Sequence, residues 1–239
     1  MRQRICCLSL IFTFSILHLV VKAQTATLYR SGVFTGTYST IQQAINAVPY
    51  PSWAIDSIVL SPHTFYEHDL NIGHKSLIIK GESTNATKID AEGKGRIFFS
   101  TSSPKLIIED VIMENGFAAK TSVLSTGMGG GIYLGGGSSE LILRGYSQVR
   151  NCRAERNGGG IACFRGKLQD HVKITANVAD SVGGGFYADV DLHDSVEISY
   201  NKAVYGGGCY RIYNLANGNV LFLNNYASKT GGAIFFYAK

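Results

Sequence analysis

Apolar and polar residues alternate in short bursts that recur at a fixed interval through the C-terminal half of the chain. Val172 and Ile174 flank polar Lys173, Val196 and Ile198 flank Glu197, and Val220 and Phe222 hold the same places 24 residues further on. This period of two predicts strands with one buried face. Each burst leads to an asparagine (Asn177, Asn201, Asn225) and, two positions later, to an alanine (Ala179, Ala203, Ala227). Gly183-Gly-Gly-Phe186, Gly206-Gly-Gly-Cys209 and Gly231-Gly-Ala-Ile234 follow in turn, and a looser copy precedes them with Asn151, Ala154 and Gly158-Gly-Gly-Ile161. A fixed period of this size predicts stacked equivalent units. The expected closure is an all-β, right-handed parallel β-helix with three short strands per coil and coils roughly 4.8 Å apart. Residues 28–239 leave room for about nine such coils.

The repeated small and amide residues read as structural. Glycines allow positive φ or close approach where a side chain would strike the next coil. Asn177, Asn201 and Asn225 are expected to stack as a ladder that satisfies buried turn groups. Lys173 and Glu197 share a column and are expected to pair across coils.

The N-terminal part carries a different period. Ser39-Thr-Ile-Gln42 reads as a capping box, and Ile41, Ala44, Ile45 and Val48 recur at helical spacing before Pro49. A short amphipathic helix here would cap the open N-terminal end of the stack. Ser57–Leu60, Ser76–Lys80, Ile97–Phe99 and Leu106–Ile108 then read as buried strands. Ahead of them, basic Met1–Arg4, apolar Ile5–Val21 and the small-residue Val21-Lys-Ala23 form the pattern of a secretory signal peptide over 1–23, with the β-helix domain over 24–239. The expected localisation is secreted or cell surface. The apolar edge at 235–239 is expected to be covered by further coils or a partner.

Charged residues make up only 16% of the chain and Lys and Arg are scattered singly, so nothing points to nucleic acid. Cys152, Cys163 and Cys209 fall in different columns with no disulfide or metal spacing, and read as buried free thiols. His63, His68 and His74 give no metal spacing either. Asn85-Ala-Thr87 is a glycosylation sequon. One acidic cluster is a candidate site: Asp189 and Asp191 alternate on a strand, with His193 and Asp194 beyond. Their carboxylates are the type that binds Ca²⁺ or runs acid/base chemistry, with Arg165 or Arg211 alongside. By the glycine alignment Arg211 shares a column with Cys163 and Ala188. The competing reading is a solvated loop with no metal and no catalysis.

Two resemblances bear on function. Phe222-x-x-Asn225 with Gly231-Gly-Ala-Ile234 resembles the paired repeats of chlamydial polymorphic membrane proteins, over 129–239. That resemblance implies a surface-exposed β-helical passenger, adhesin-like, with a glycan or a host or matrix protein as partner. Tyr38–Pro49 and Ile58–Glu67 are similar to the opening of pectin methylesterases in the pectin-lyase-like superfamily, which implies the capping helix and first coil. The catalytic segments of that superfamily are missing: Trp53 is the sole tryptophan, Gln169-Asp170 runs into His171, and neither Gly-His-Gly nor Arg-x-Pro-x-x-Arg occurs. The expectation is a binding or structural protein without catalysis, the alternative a carbohydrate-active enzyme on acidic polysaccharide.

Overall fold

A computed structural model describes residues 23–50, 55–121, 126–215 and 218–235. The expected signal peptide, apart from Ala23, and Trp53 lie outside these residues. The chain forms a parallel β-helix. Its coils contribute to one large sheet of 12 strands, a second of seven and a third of five. The second sheet counts the coils: Thr64–Phe65, Lys88–Asp90, Ile112–Glu114, Gln148–Arg150, Lys173–Thr175, Glu197–Ser199 and Leu221–Leu223. Seven coils form, against the nine expected. Chain length goes instead into an antiparallel hairpin, Ala26–Arg30 with Val33–Tyr38, and into the 36-residue interval between Ile112 and its partner Gln148.

The hairpin and a helix, α1 (Ile41–Ala47), close the N-terminal end. Ile41, Ala44, Ile45 and Val48 are all buried, as the spacing predicts. The cap differs from the expected box by one residue. Thr40, in extended conformation, accepts from Gln43 N at 3.1 Å. The acidic partner comes from far along the chain: Glu67 accepts from Ile41 N at 2.8 Å and from Gln42 N at 3.2 Å. Lys75 Nζ donates to Ile45 O at 2.6 Å, so a cation meets the carbonyl end of the helix.

Inward-facing Ile, Leu, Val and Phe of the three sheets form one continuous core, with Val172, Ile174, Val196 and Ile198 among its fully buried members. The three corners follow different rules. Between the large and second sheets, Asp110, Gly145, Asp170 and Asp194 all take positive φ. Between the second and third, Asn115, Asn151, Ala176, Tyr200 and Asn224 do so, and the ladder residue follows each of the last three. The return corner is the glycine triplet. Its first glycine has positive φ (71° at Gly183). A Cβ on its second, Gly184, would run into Gly207 O of the next coil.

Candidate functional site

At the asparagine corner the side-chain amides run along the stack. Asn201 Oδ1 accepts from both Asn177 N and Asn177 Nδ2 at 3.0 Å, and Asn225 Oδ1 accepts the same pair from Asn201 at 3.0 Å. Each Nδ2 also donates backward: Asn177 to Val149 O (3.0 Å), Asn201 to Ile174 O (2.8 Å), Asn225 to Ile198 O (2.7 Å). Asn177 Oδ1 in turn accepts from Cys152 N at 3.0 Å. One coil earlier the Cys152 sulfur stands in for the amide oxygen and accepts from Gly116 N at 3.4 Å. Asn177 and Asn201 are fully buried. These groups are all satisfied within the fold, which assigns them to the scaffold.

The cysteines follow the fold as well. All three are free; Cys152 and Cys209 are buried and Cys163 half-buried. Burial pushes the Cys152 and Cys163 thiols up to about 12 and raises Cys209 too. The Cys163 sulfur turns inward to donate to Arg165 O at 3.3 Å.

The acidic cluster divides. Asp189 and Asp191 point outward from the Phe186–Leu192 strand of the large sheet, between buried Ala188, Val190 and Leu192. Asp194 lies in the corner beyond and accepts from Asp170 N at 3.4 Å. It belongs to a second ladder, in which Asp170 accepts from Gly145 N and Asp110 from Tyr146 N, both at 2.9 Å. His193 follows the same strand, its N–H bonded to Leu168 O. Among the described residues no three His, Cys, Asp or Glu side chains are grouped so that they could hold a metal ion.

Around Asp189 and Asp191 the sheet loses its regular register. Ala162 pairs with Tyr187 and Arg165 with Asp189, so Cys163 and Phe164 together oppose Ala188. On the other side Asp189 pairs with Arg211, not Ala188 with Arg211 as the glycine alignment predicts, because Tyr187 and Ala188 oppose the single Tyr210. One step further Val190 pairs with Ile212 and Asp191 with Asn214, which leaves Tyr213 as an extra residue. Such bulges re-aim side chains and gather at functional sites. Here they push two rings into solvent: Phe164 is 44% exposed and Tyr213 78%.

Between these rings lies a recess of about 150 Å³, with Arg165, Asp189 and Asp191 on its wall and floor. Asp189 is ion-paired with Arg211, a hydrogen bond that raises the Arg211 pKa. Asp191 Oδ1 is buried and has no hydrogen-bond partner. Arg165 stands in a column of alternating charge: Lys105, Glu140, Arg165, Asp189, Arg211. Lys105 pairs with Glu140 at 2.8 Å and Arg211 takes Asp189. Arg165 is left without an ion pair among the described residues, its guanidinium 5.7 Å from the Phe164 ring centre. Phe164 also borders two neighbouring recesses along the same face, one lined by Tyr187 and Tyr210, the other by Tyr133 and Tyr187. The wider depressions at 120–181 and 90–153 are open, and their Glu155, Asn157, Asp180 and Asp90 are already bonded within the fold.

Phe164 and Tyr213 were not singled out from sequence, yet a signal exists for Phe164. From the third residue of each glycine triplet to the next ladder asparagine (160 to 177, 185 to 201, 208 to 225) the intervals are 17, 16 and 17 residues. The middle coil is one residue short, and the Cys163–Phe164 bulge takes up the difference; Tyr213 instead restores the residue lost where Tyr187 and Ala188 oppose Tyr210.

Residues 219–237 match the Chlamydia polymorphic membrane protein (Chlamydia_PMP) repeat. The match takes in Phe222, Asn225 and the Gly231 triplet, and is confined to this one repeat. No curated protein and no solved structure matches the chain, and no comparison places it in the pectin-lyase-like superfamily. The chain is a β-solenoid carrying a polymorphic membrane protein repeat, an arrangement consistent with a surface or autotransporter-like protein.

Proposed function

We propose that this chain is a secreted or cell-surface β-helical binding protein, adhesin-like, that acts without catalysis. The observation that carries the reading is the pairing of outward carboxylates across coils. Glu109 is held by Lys80 (2.5 Å) and Arg144 (2.7 Å), Glu114 by Arg150 (2.5 Å), Glu140 by Lys105 (2.8 Å), Asp180 by Arg153 (2.9 Å) and Glu197 by Lys173 (3.0 Å). Against desolvation, Lys80 and Arg144 hold the Glu109 carboxyl below the ordinary value, and Ser199, then Lys173, do so for Glu197; a carboxyl so held is a poor general acid. The faces of this solenoid thus suit contact with a partner better than bond cleavage. The glycan or host-protein partner expected from the repeats belongs to the same reading, as does glycosylation at exposed Asn85. The test is adhesion of beads coated with the folded 24–239 protein to cells and extracellular-matrix films. Retention no better than that of heat-unfolded protein would remove the proposal.

The recess keeps a second reading alive: Asp189 and Asp191, on alternate positions, with Arg165 as a carbohydrate-active centre on acidic polysaccharide. Polygalacturonate and its methyl ester, assayed with and without Ca²⁺, separate the two. Turnover abolished by Asp191→Ala would favour the enzyme.

A further inference from the structure

We infer that the recess between Phe164 and Tyr213 is a subsite for a single sugar ring bearing an anionic substituent, part of a longer glycan that is bound and not cleaved. The inference rests on the binding reading above and names the ligand class.

Three features select the ligand. The two rings come from register shifts on opposite sides of the Phe186–Leu192 strand, Phe164 from the one against 161–168 and Tyr213 from the second of two against 209–215. Exposed rings of this kind take the flat apolar face of a ring-shaped ligand. Asp191 Oδ1 is buried without a partner, a state that is unfavourable until a donor arrives. A sugar hydroxyl is such a donor. Arg165 is the member of its charge column that has no ion pair, and its planar fork matches a carboxylate or a sulfate. Lys167 sits in register with Asp191 but forms no ion pair with it, so the local balance of unpaired charge is positive. A flat apolar face, hydroxyl donors and an anion occur together on one acidic sugar ring. No single amino-acid side chain supplies all three.

Size and surroundings agree. Drug-sized pockets start at about 300 Å³, so a recess of about 150 Å³ admits one ring and not a cofactor. The glycan continues past Phe164 over the tyrosines: the Tyr187 and Tyr210 rings lie 4.8 Å apart along the stack. Tyr133, Ala162 and Tyr187 share one column, and together with Phe164 they line the next recess along this face.

The experiment is calorimetric titration of the folded protein with three hexasaccharides: hyaluronan (carboxylates), κ-carrageenan (sulfates) and cellohexaose (neither). At least one anionic sugar is expected to bind tenfold or more tighter than cellohexaose, and the stronger of the two identifies the anion. In Arg165→Gln that preference collapses to within about threefold. Tyr213→Ala, which truncates a solvent-facing ring, weakens every sugar that binds. Circular dichroism and melting verify the fold of each variant. Equal affinity for all three sugars, no binding at millimolar sugar, or a preference that survives in folded Arg165→Gln would overturn the inference. If the beads still adhere while no sugar binds, the subsite falls and the surface-binding reading stands; if neither occurs, both fall.

Discussion

At the scale of single residues, the ladder asparagines and corner aspartates solve one problem with the same chemistry. Each corner must turn sharply, and a short side-chain oxygen from an adjacent coil accepts an N–H that the turn would leave unpaired. Asn201 is the sharpest test. Asn201→Leu removes the acceptor for Asn177 N and Nδ2 and the donor to Ile174 O. The expected loss is about 1–3 kcal/mol, read by chemical denaturation. A midpoint equal to that of the parent would mean the ladder contributes no stability. The asparagines were legible because they repeat at 24 residues. Cys152 was not: nothing in a thiol's chemistry announces that its sulfur will take an amide oxygen's place, and only its position after Asn151 reveals it. The Asp194 corner was missed for a related reason. Its partner Asp170 lies 24 residues upstream, but Asp189 and Asp191 are nearer in sequence and drew Asp194 into a cluster it does not join.

At the scale of elements, strands were readable and their mutual register was not. Period-two alternation locates Glu197–Ser199 and its neighbours, and it predicts the Lys173–Glu197 pair, found at 3.0 Å. This pair is half in solvent, so it should contribute little. The charge-swapped double variant Lys173→Glu/Glu197→Lys is expected to stay within about 1 kcal/mol of the parent by chemical denaturation. A loss of several kcal/mol would show that the column does more than pair. Register within the large sheet depends on where bulges fall on adjacent coils, and alternation read one strand at a time cannot see that. The helix cap has the same character. The helix was visible from Ile41, Ala44, Ile45 and Val48, whereas Glu67, which binds its first amides, comes from a loop 26 residues away.

At the scale of the whole molecule, the coil period carried the architecture and the count failed where the chain departs from it, in the hairpin and in the long 112–148 interval. The cross-coil ion pairs set the response to acid. Burial would raise the Glu109 carboxyl, but hydrogen bonds from Lys80 and Arg144 outweigh it and hold it below the ordinary value; Ser199, then Lys173, do the same for Glu197. A depressed folded pKa adds stability above the unfolded value of about 4.3 and loses it as pH falls through the folded value. The melting temperature should therefore fall as pH drops below about 4.3, and Glu109→Gln should make that acid limb shallower. Melting temperatures that rise on acidification would refute the assignment. The stack also has a mechanical side. Its hydrogen bonds run from coil to coil, so a pull along the axis peels one coil at a time instead of shearing a sheet. Each peeled coil of 24 residues frees roughly 8 nm of contour at about 3.4 Å per residue, and the 36-residue interval from Ile112 to Gln148 roughly 12 nm. A tethered molecule should yield as a sawtooth with these spacings, giving way in steps where a compact domain would rupture once.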